Sequence, residues 1–282
     1  MGLWQHTFYQ AVFGVRKMDK KIIYKIKTAV RNHWRVSLLL FSIVSVMAFS
    51  AIFLPIKSGL ETGGTIQNKE IPIYCVDSNE KKVALSFDAA WGNEDTKTIL
   101  EILEKYDVKV TFFMTGGWVE SYPEDVKAIA AAGHDLGNHS ENHKHMSQLG
   151  SDACIDEIMK VHEKVKELTG KDMCLFRPPY GDYNDTLINS VYTCGYYPIQ
   201  WDVDSLDWKD YGADNIVKTV LHHKNLGNGS IILMHNGAKY TKDALEQVIV
   251  GLKEMGYEIV PISQLIYTEE FTIDHTGRQK QK

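Results

Sequence analysis

The sequence predicts an α/β fold: a distorted seven-stranded (β/α) barrel preceded by one N-terminal transmembrane helix. Three observations predict it. Seven short apolar runs alternate with amphipathic stretches of helical period, which implies parallel βαβ units joined by right-handed crossovers. The alternation occupies residues 80–267, short of the roughly 250 residues of a full eightfold barrel. Upstream, residues 36–56 (VSLLLFSIVSVMAFSAIFLPI) hold no charge, which matches the roughly 20 apolar residues that cross about 30 Å of hydrocarbon.

Composition narrows the class further. In 282 residues, 44% hydrophobic and 24% charged side chains exclude general disorder, and 21 Gly, 7 Pro and 4 Cys exclude a collagen or a disulfide scaffold. A mean hydropathy of -0.24 excludes a multi-span membrane protein. The net charge of -5 is a sum over two unlike regions. Residues 1–35 carry eight basic groups and one acid, a net of +7, and the remainder carries 23 basic and 35 acidic groups, a net of -12. Basic residues before the apolar run place the leader in the cytoplasm and the rest of the chain outside the cell membrane. A cleavable signal ending near Ala48-Phe49-Ser50, which would release a secreted protein, is the competing reading. The acidic remainder excludes nucleic acid as a partner, because phosphate binding needs clustered Lys and Arg.

The chain then divides into a basic leader (1–35), a span (36–56), a polar linker with a possible extra strand at IPIYCV (57–79), the alternating domain (80–267) and a polar tail (268–282) expected to fray. The apolar runs are 83–87, 110–114, 134–138, 173–176, 196–201, 230–234 and 257–260. The helix between the third and fourth shows Ile155, Ile158, Met159, His162, Val165 and Leu168 at spacings of three and four, opened by Ser151 and closed by Gly170. Cys75, Cys154, Cys174 and Cys194 show no metal-ligand spacing. Four separate thiols are the simple reading, and Cys174 with Cys194 is the pair to test for a disulfide.

Barrels of this kind carry their chemistry on loops at the C-terminal ends of the strands. Asp88, His139, His143, Arg177, Asp202, Asp204, Asp207 and His235 all follow predicted strands. His139 and His143, at i and i+4, would share one face of a helical turn and grip one divalent ion. Arg177 opens the rigid turn Arg177-Pro178-Pro179-Tyr180-Gly181, where it would clamp a carboxylate bidentately. Asp207 and His235 supply a carboxylate-backed imidazole, the usual general acid near neutral pH. No HExxH accompanies the histidines, which disfavours a zinc peptidase.

Taken in order, Phe87-Asp88, the HSxxH pair, the RPPYG turn, Asp204-Ser205-Leu206-Asp207-Trp208 and Leu233-Met234-His235 resemble the five motifs of the polysaccharide deacetylases, the NodB-homology group of carbohydrate esterase family 4. The flank FDAAWGNEDT and the anchored basic leader are similar to that family's sporulation-associated branch. The resemblance implies a membrane-anchored hydrolase of N-acetyl groups on a cell-wall glycan, with peptidoglycan foremost. It implies a divalent metal, usually zinc, on His139 and His143, with Asp88 as base, Arg177 steering it, and His235 tuned by Asp207 as acid. It further implies an oxyanion contact from the Tyr180 backbone N–H and an acetyl pocket lined by Trp208 and Leu233. One position departs: the family's second, metal-binding aspartate is Ala89 here. A water or Asp88 could complete the metal site, Glu94 or Asp95 could reach in, or the metal is weak and the protein a poor catalyst. A catalytically weak or inactive protein that binds or scaffolds wall glycan is the alternative reading. Trp91, Trp118, Trp201 and Tyr211 are candidates for stacking on sugar rings or, more simply, for core and rim.

Overall fold

The computed structural model describes residues 21, 24, 25, 64–66 and 69–282. The chain forms two compact units, Met1–Ser58 and Gly59–Lys282. In the first, Lys21, Tyr24 and Lys25 are helical. The rest of the basic leader and the whole apolar stretch 36–56 lie outside the described residues. Among the described residues no helix is long and apolar enough to cross a membrane.

The second unit begins with an antiparallel hairpin of β1 (Gly64–Ile66) and β2 (Lys69–Ile71), followed by β3 (Cys75–Val76). The barrel then alternates: β4 (Lys82–Ala89), α1 (Thr96–Lys105), β5 (Thr111–Met114), α2 (Gly116–Ser121), α3 (Pro123–Ala131), β6 (Asp135–Asn138), α4 (Ser151–Thr169) and β7 (Leu175–Phe176). It continues with α5 (Asp185–Thr193), β8 (Tyr197–Pro198), β9 (Val203–Asp204), α6 (Ala213–Leu221), β10 (Ile231–Asn236), α7 (Thr241–Glu254) and β11 (Glu258–Ile259). All strand pairs in this eight-stranded sheet are parallel, in the order β8-β7-β6-β5-β4-β10-β9, with β11 on β4. Each of the seven predicted runs therefore forms a strand. The eighth, β9, is only two residues long and follows a predicted strand without a helix between, so no periodicity marked it.

Period-two alternation sorts the side chains into two cores. Val83, Leu85, Phe87 and Ala89 face the helices, together with Ile99, Val161 and Val248. Ala84 joins Phe113, Leu175, Ile199 and Ile231 in a core inside the barrel, which puts Ser86 and Asp88 on that inner face. Gly137 is required there, since a Cβ would lie 2.5 Å from the Phe113 ring.

Residues 71–76 close the barrel. Ile73 bridges Ile199 in parallel and Cys75 bridges Ser230, while the Val76 N–H donates to Gly229 O. Gly229 has φ of +80°, and a Cβ there would sit 1.9 Å from Val76 O, so only glycine permits the closure. Within the predicted linker, the possible strand at 71–76 is present as the end of β2 and as β3.

The C-terminal tail does not fray. β12 (Phe271–Ile273) and β13 (Arg278–Gln281) form an antiparallel hairpin, and β13 pairs with β3. Phe271, Ile273 and Gln279 are buried. The alternation Phe271, Ile273 around exposed Thr272 marks a one-sided strand, a signal too short to stand out in a polar tail. Cys75 and Cys154 are buried, Cys174 is exposed and Cys194 half-buried, and all four are free thiols. A Phe271→Ala chain should lose about 3 kcal/mol or more of stability in urea unfolding; an unchanged midpoint would return the tail to the status of a loose end.

Candidate active site

Asp88 leaves the inner face of β4 near its C-terminal end, and Arg177 follows β7. Both are buried, and Arg177 Nη1 donates to Asp88 Oδ1 at 2.7 Å. The fork is divided rather than bidentate: Nη2 donates to Ser86 Oγ at 2.8 Å and to Gln200 O at 3.2 Å. The guanidinium also lies over the Phe113 ring, 4.1 Å from its centre. Burial disfavours the Asp88 charge, but Arg177, His139 and His235 outweigh it and hold the carboxyl below its usual range.

The HSxxH segment is not a helical turn. Ser140 (φ 66°) and His143 (φ 51°) are left-handed, so the two histidines sit on a tight loop after β6. Their rings nevertheless meet, centroids 4.9 Å apart. Burial pushes the His139 pKa down to about 4, so the ring is neutral and its 3.5 Å approach to Asp88 Oδ2 is no ion pair. In that state Nδ1–H donates to Arg177 O at 2.7 Å, which leaves the Nε2 lone pair turned toward Asp88. His143 is likewise held below its ordinary value, chiefly by burial.

Glu157 of α4, absent from the predicted site, holds this loop. Its buried carboxylate accepts from Asn142 N at 2.8 Å, Asn142 Nδ2 at 2.7 Å and Lys144 Nζ at 2.7 Å, and its backbone O accepts from Glu141 N at 3.0 Å. The signal was legible: Glu157 is a charge on the stripe Cys154, Ile158, Val161 and Val165 that α4 buries.

On the opposite side, Asp207 is fully buried and accepts from His235 Nδ1 at 2.7 Å, His235 N at 2.7 Å and Thr241 Oγ1 at 2.6 Å. Burial opposes a charge on His235, but the Asp207 hydrogen bond and charge, with Asp88 and Asp204 beyond, raise its pKa. Leu233 lies two residues below His235 on the same face of β10, buried, whereas Trp208 is half exposed. Tyr180 is left-handed (φ 61°), with its ring 4.5 Å from His143 and stacked at 4.2 Å on His145.

Other side chains lie elsewhere. Asp202 is not at this mouth; it accepts from Ile231 N at 2.9 Å and from Ser230 Oγ at 3.1 Å at the start of β10, and burial pushes its carboxyl up to about 6. His134 is at the far end of β6, where it accepts from Val110 N. Trp118 is buried, and its Nε1 donates to Gly92 O. Asp95 does not reach the histidines, because both its oxygens accept from Gly237 N at 2.9 Å, and Glu94 is exposed beside Gly92. Ala89 is fully buried in the helix-facing core. Among the described residues no group of three or more His, Cys, Asp or Glu is placed to hold a metal. Two imidazoles do not make the three-ligand site of a catalytic zinc.

The sequence profile of the polysaccharide deacetylase family matches residues 76–199, and the chain belongs to that family. It is 30% identical over 227 residues to the peptidoglycan-N-acetylmuramic acid deacetylase PdaA of Bacillus subtilis, covering 78% of this chain and 84% of that one. It is 34% identical over 196 residues to a peptidoglycan-N-acetylglucosamine deacetylase of Bacillus cereus, covering 68% and 70%. The structure of BA3943 from Bacillus anthracis, described as a CE4 family pseudoenzyme, matches with a TM-score of 0.67 at 34% identity over 75% of this chain and 73% of that one. A BA3943 mutant described as having restored enzymatic activity matches with 0.66 at 38% identity over 69% and 70%.

Two outcomes test this geometry. Glu157→Gln turns an amide N–H toward one of three donors and should lower stability by about 1–3 kcal/mol in chemical unfolding; no loss would remove the latch. The His235 imidazole should titrate by NMR above the ordinary value of about 6.5, and Asp207→Asn should bring it down. Because the folded pKa is raised, the stability it contributes is fully present below the unfolded value and is lost as pH rises through the folded one.

Proposed function

We propose that the chain removes N-acetyl groups from an amino-sugar polymer of the cell wall, with peptidoglycan as substrate. The observation that carries this reading is that Asp88 on Arg177 and His235 on Asp207 are both intact at one barrel mouth. In this role Asp88, kept ionised, takes a proton from water, and the water oxygen attacks the acetyl carbonyl carbon. The Tyr180 backbone N–H receives the developing oxyanion, and Trp208 and Leu233 flank the methyl group. His235, kept protonated by Asp207, gives its proton to the departing nitrogen as the C–N bond breaks, so that acetate and a free amine leave.

A metal is the part that does not fit. In the family reading a divalent ion, usually zinc, belongs on His139 and His143, yet Ala89 offers no third ligand, and no step above is routed through one. A carboxylate whose pKa is depressed is a weak base toward ordinary water, so turnover should be slow. The same observation supports a second reading, a wall-bound protein that holds glycan without turning it over, and the pseudoenzyme likeness at 34–38% identity points the same way. On the charge asymmetry we place the folded part outside the cytoplasm, tethered by residues 36–56 or, if the leader is cleaved, secreted. The sporulation-associated branch rests on FDAAWGNEDT and the leader.

Acetate release from peptidoglycan and from N-acetylglucosamine oligomers, with and without zinc or cobalt, tests the assignment. Slow release is expected, falling about 100-fold or more in Asp88→Asn and in His235→Ala. Ala89→Asp should destabilise the chain, since it buries a carboxylate in the helix-facing core. No acetate with any metal would sink the enzymatic reading and leave the binding one.

A further inference from the structure

The loop that departs from the family pattern at Ala89 carries a large exposed ring beside the acid pair. Trp91 is 51% exposed, yet its indole centre lies 5.4 Å from that of His235, tilted by 41°. The loop beneath it is anchored rather than loose. Trp118 Nε1 and Asn236 Nδ2 donate to Gly92 O at 3.0 and 3.1 Å, Gly237 N donates to Asp95, and Thr96 Oγ1 donates to Asn236 Oδ1 at 3.0 Å. These bonds tie residues 92–96 to the end of β10, the strand that carries His235. Two more exposed rings follow Asp207 on the neighbouring loop, Trp208 at 52% and Tyr211 at 64%.

A rigid aromatic surface held out of the core at the edge of a polar site suits a ligand with both an apolar face and a polar edge. A pyranose is such a ligand: its axial C–H groups cover an indole face while its hydroxyls stay in water. We infer that Trp91 is the platform for one sugar ring of a glycan strand, next to the unit presented to His235. The inference rests on the glycan reading above and deepens it: Trp91 holds the ring next to the one presented to His235, and so favours a glycan segment over a single sugar.

The test is titration calorimetry of the full chain, in mild detergent, with N-acetylglucosamine and with its soluble tetramer. The tetramer should bind the wild type more tightly than the monosaccharide does. Trp91→Ala should weaken the tetramer about tenfold, the effect of uncovering some tens of Å² of indole face, and leave the monosaccharide unchanged, while Trp91→Phe retains most of the affinity. Wild-type binding to neither sugar would overturn the glycan reading and this inference with it. Tetramer binding that Trp91→Ala leaves unmoved would overturn the platform alone. A shifted His235 titration with unchanged tetramer affinity would do the same and assign Trp91 to tuning the acid. An unfolding midpoint near the wild type's identifies the Trp91→Ala effect as local.

Discussion

The buried pair of Arg177 and Asp88 is the constraint around which the barrel mouth is arranged. Taking two charges out of water is expensive, and their attraction offsets that only when geometry and further hydrogen bonds are good. Here Nη2 reaches Ser86 on β4 and the backbone of Gln200 after β8, and the planar group lies on Phe113 of β5, while the buried Nε has no hydrogen-bond partner among the described residues. One side chain thereby touches elements spread over five neighbouring positions of the sheet. Removing either partner would strand the other charge in the interior, so the pair makes register at the mouth an all-or-nothing matter.

From that pair the site extends in two directions with different kinds of support. Toward the histidines the backbone is strained, with left-handed Ser140 and His143, and a carboxylate on a long helix balances the loop through three donors. Toward His235, the support is a closed set of bonds on Asp207 from the backbone, imidazole and hydroxyl. Burial keeps His139 neutral, whereas the hydrogen bond and charge of Asp207 outweigh burial at His235. One imidazole has a carbonyl as its Nδ1 partner and the other a carboxylate. Identical side chains in one mouth are therefore set to opposite protonation tendencies.

Much of this was legible in the residues. Alternating apolar runs and amphipathic stretches located seven of the eight barrel strands, and Asp88, His139, His143, Arg177, Asp207 and His235 lie at this mouth, whereas Asp202 does not. What escaped had a physical reason. β9 follows β8 with no helix between them, which hid it, and the possible strand at 71–76 carried no sign of its distant partners. Left-handed backbone at Ser140 and His143 cannot be read from residue types that seldom adopt it, so the i, i+4 spacing suggested a helix. The split fork of Arg177 depends on Ser86 and Gln200, whose nearness only the fold creates. Glu157 was the exception, a buried charge that its helical spacing already declared.

The closing segment bears on how the molecule comes to be. Residues 71–76 emerge from the ribosome before any barrel strand, yet their partners are Ile199, Gly229, Ser230 and, through β13, Gln279. Contacts that distant along the chain raise contact order and slow folding, because the loop-closure entropy must be met before the contacts form. The barrel can assemble its middle strands early, but its seam waits for partners far downstream, around Ile199 and Ser230. Until those partners exist, residues 71–76 have no edge to bridge, and an unpaired strand edge stays open to whatever other chain it meets.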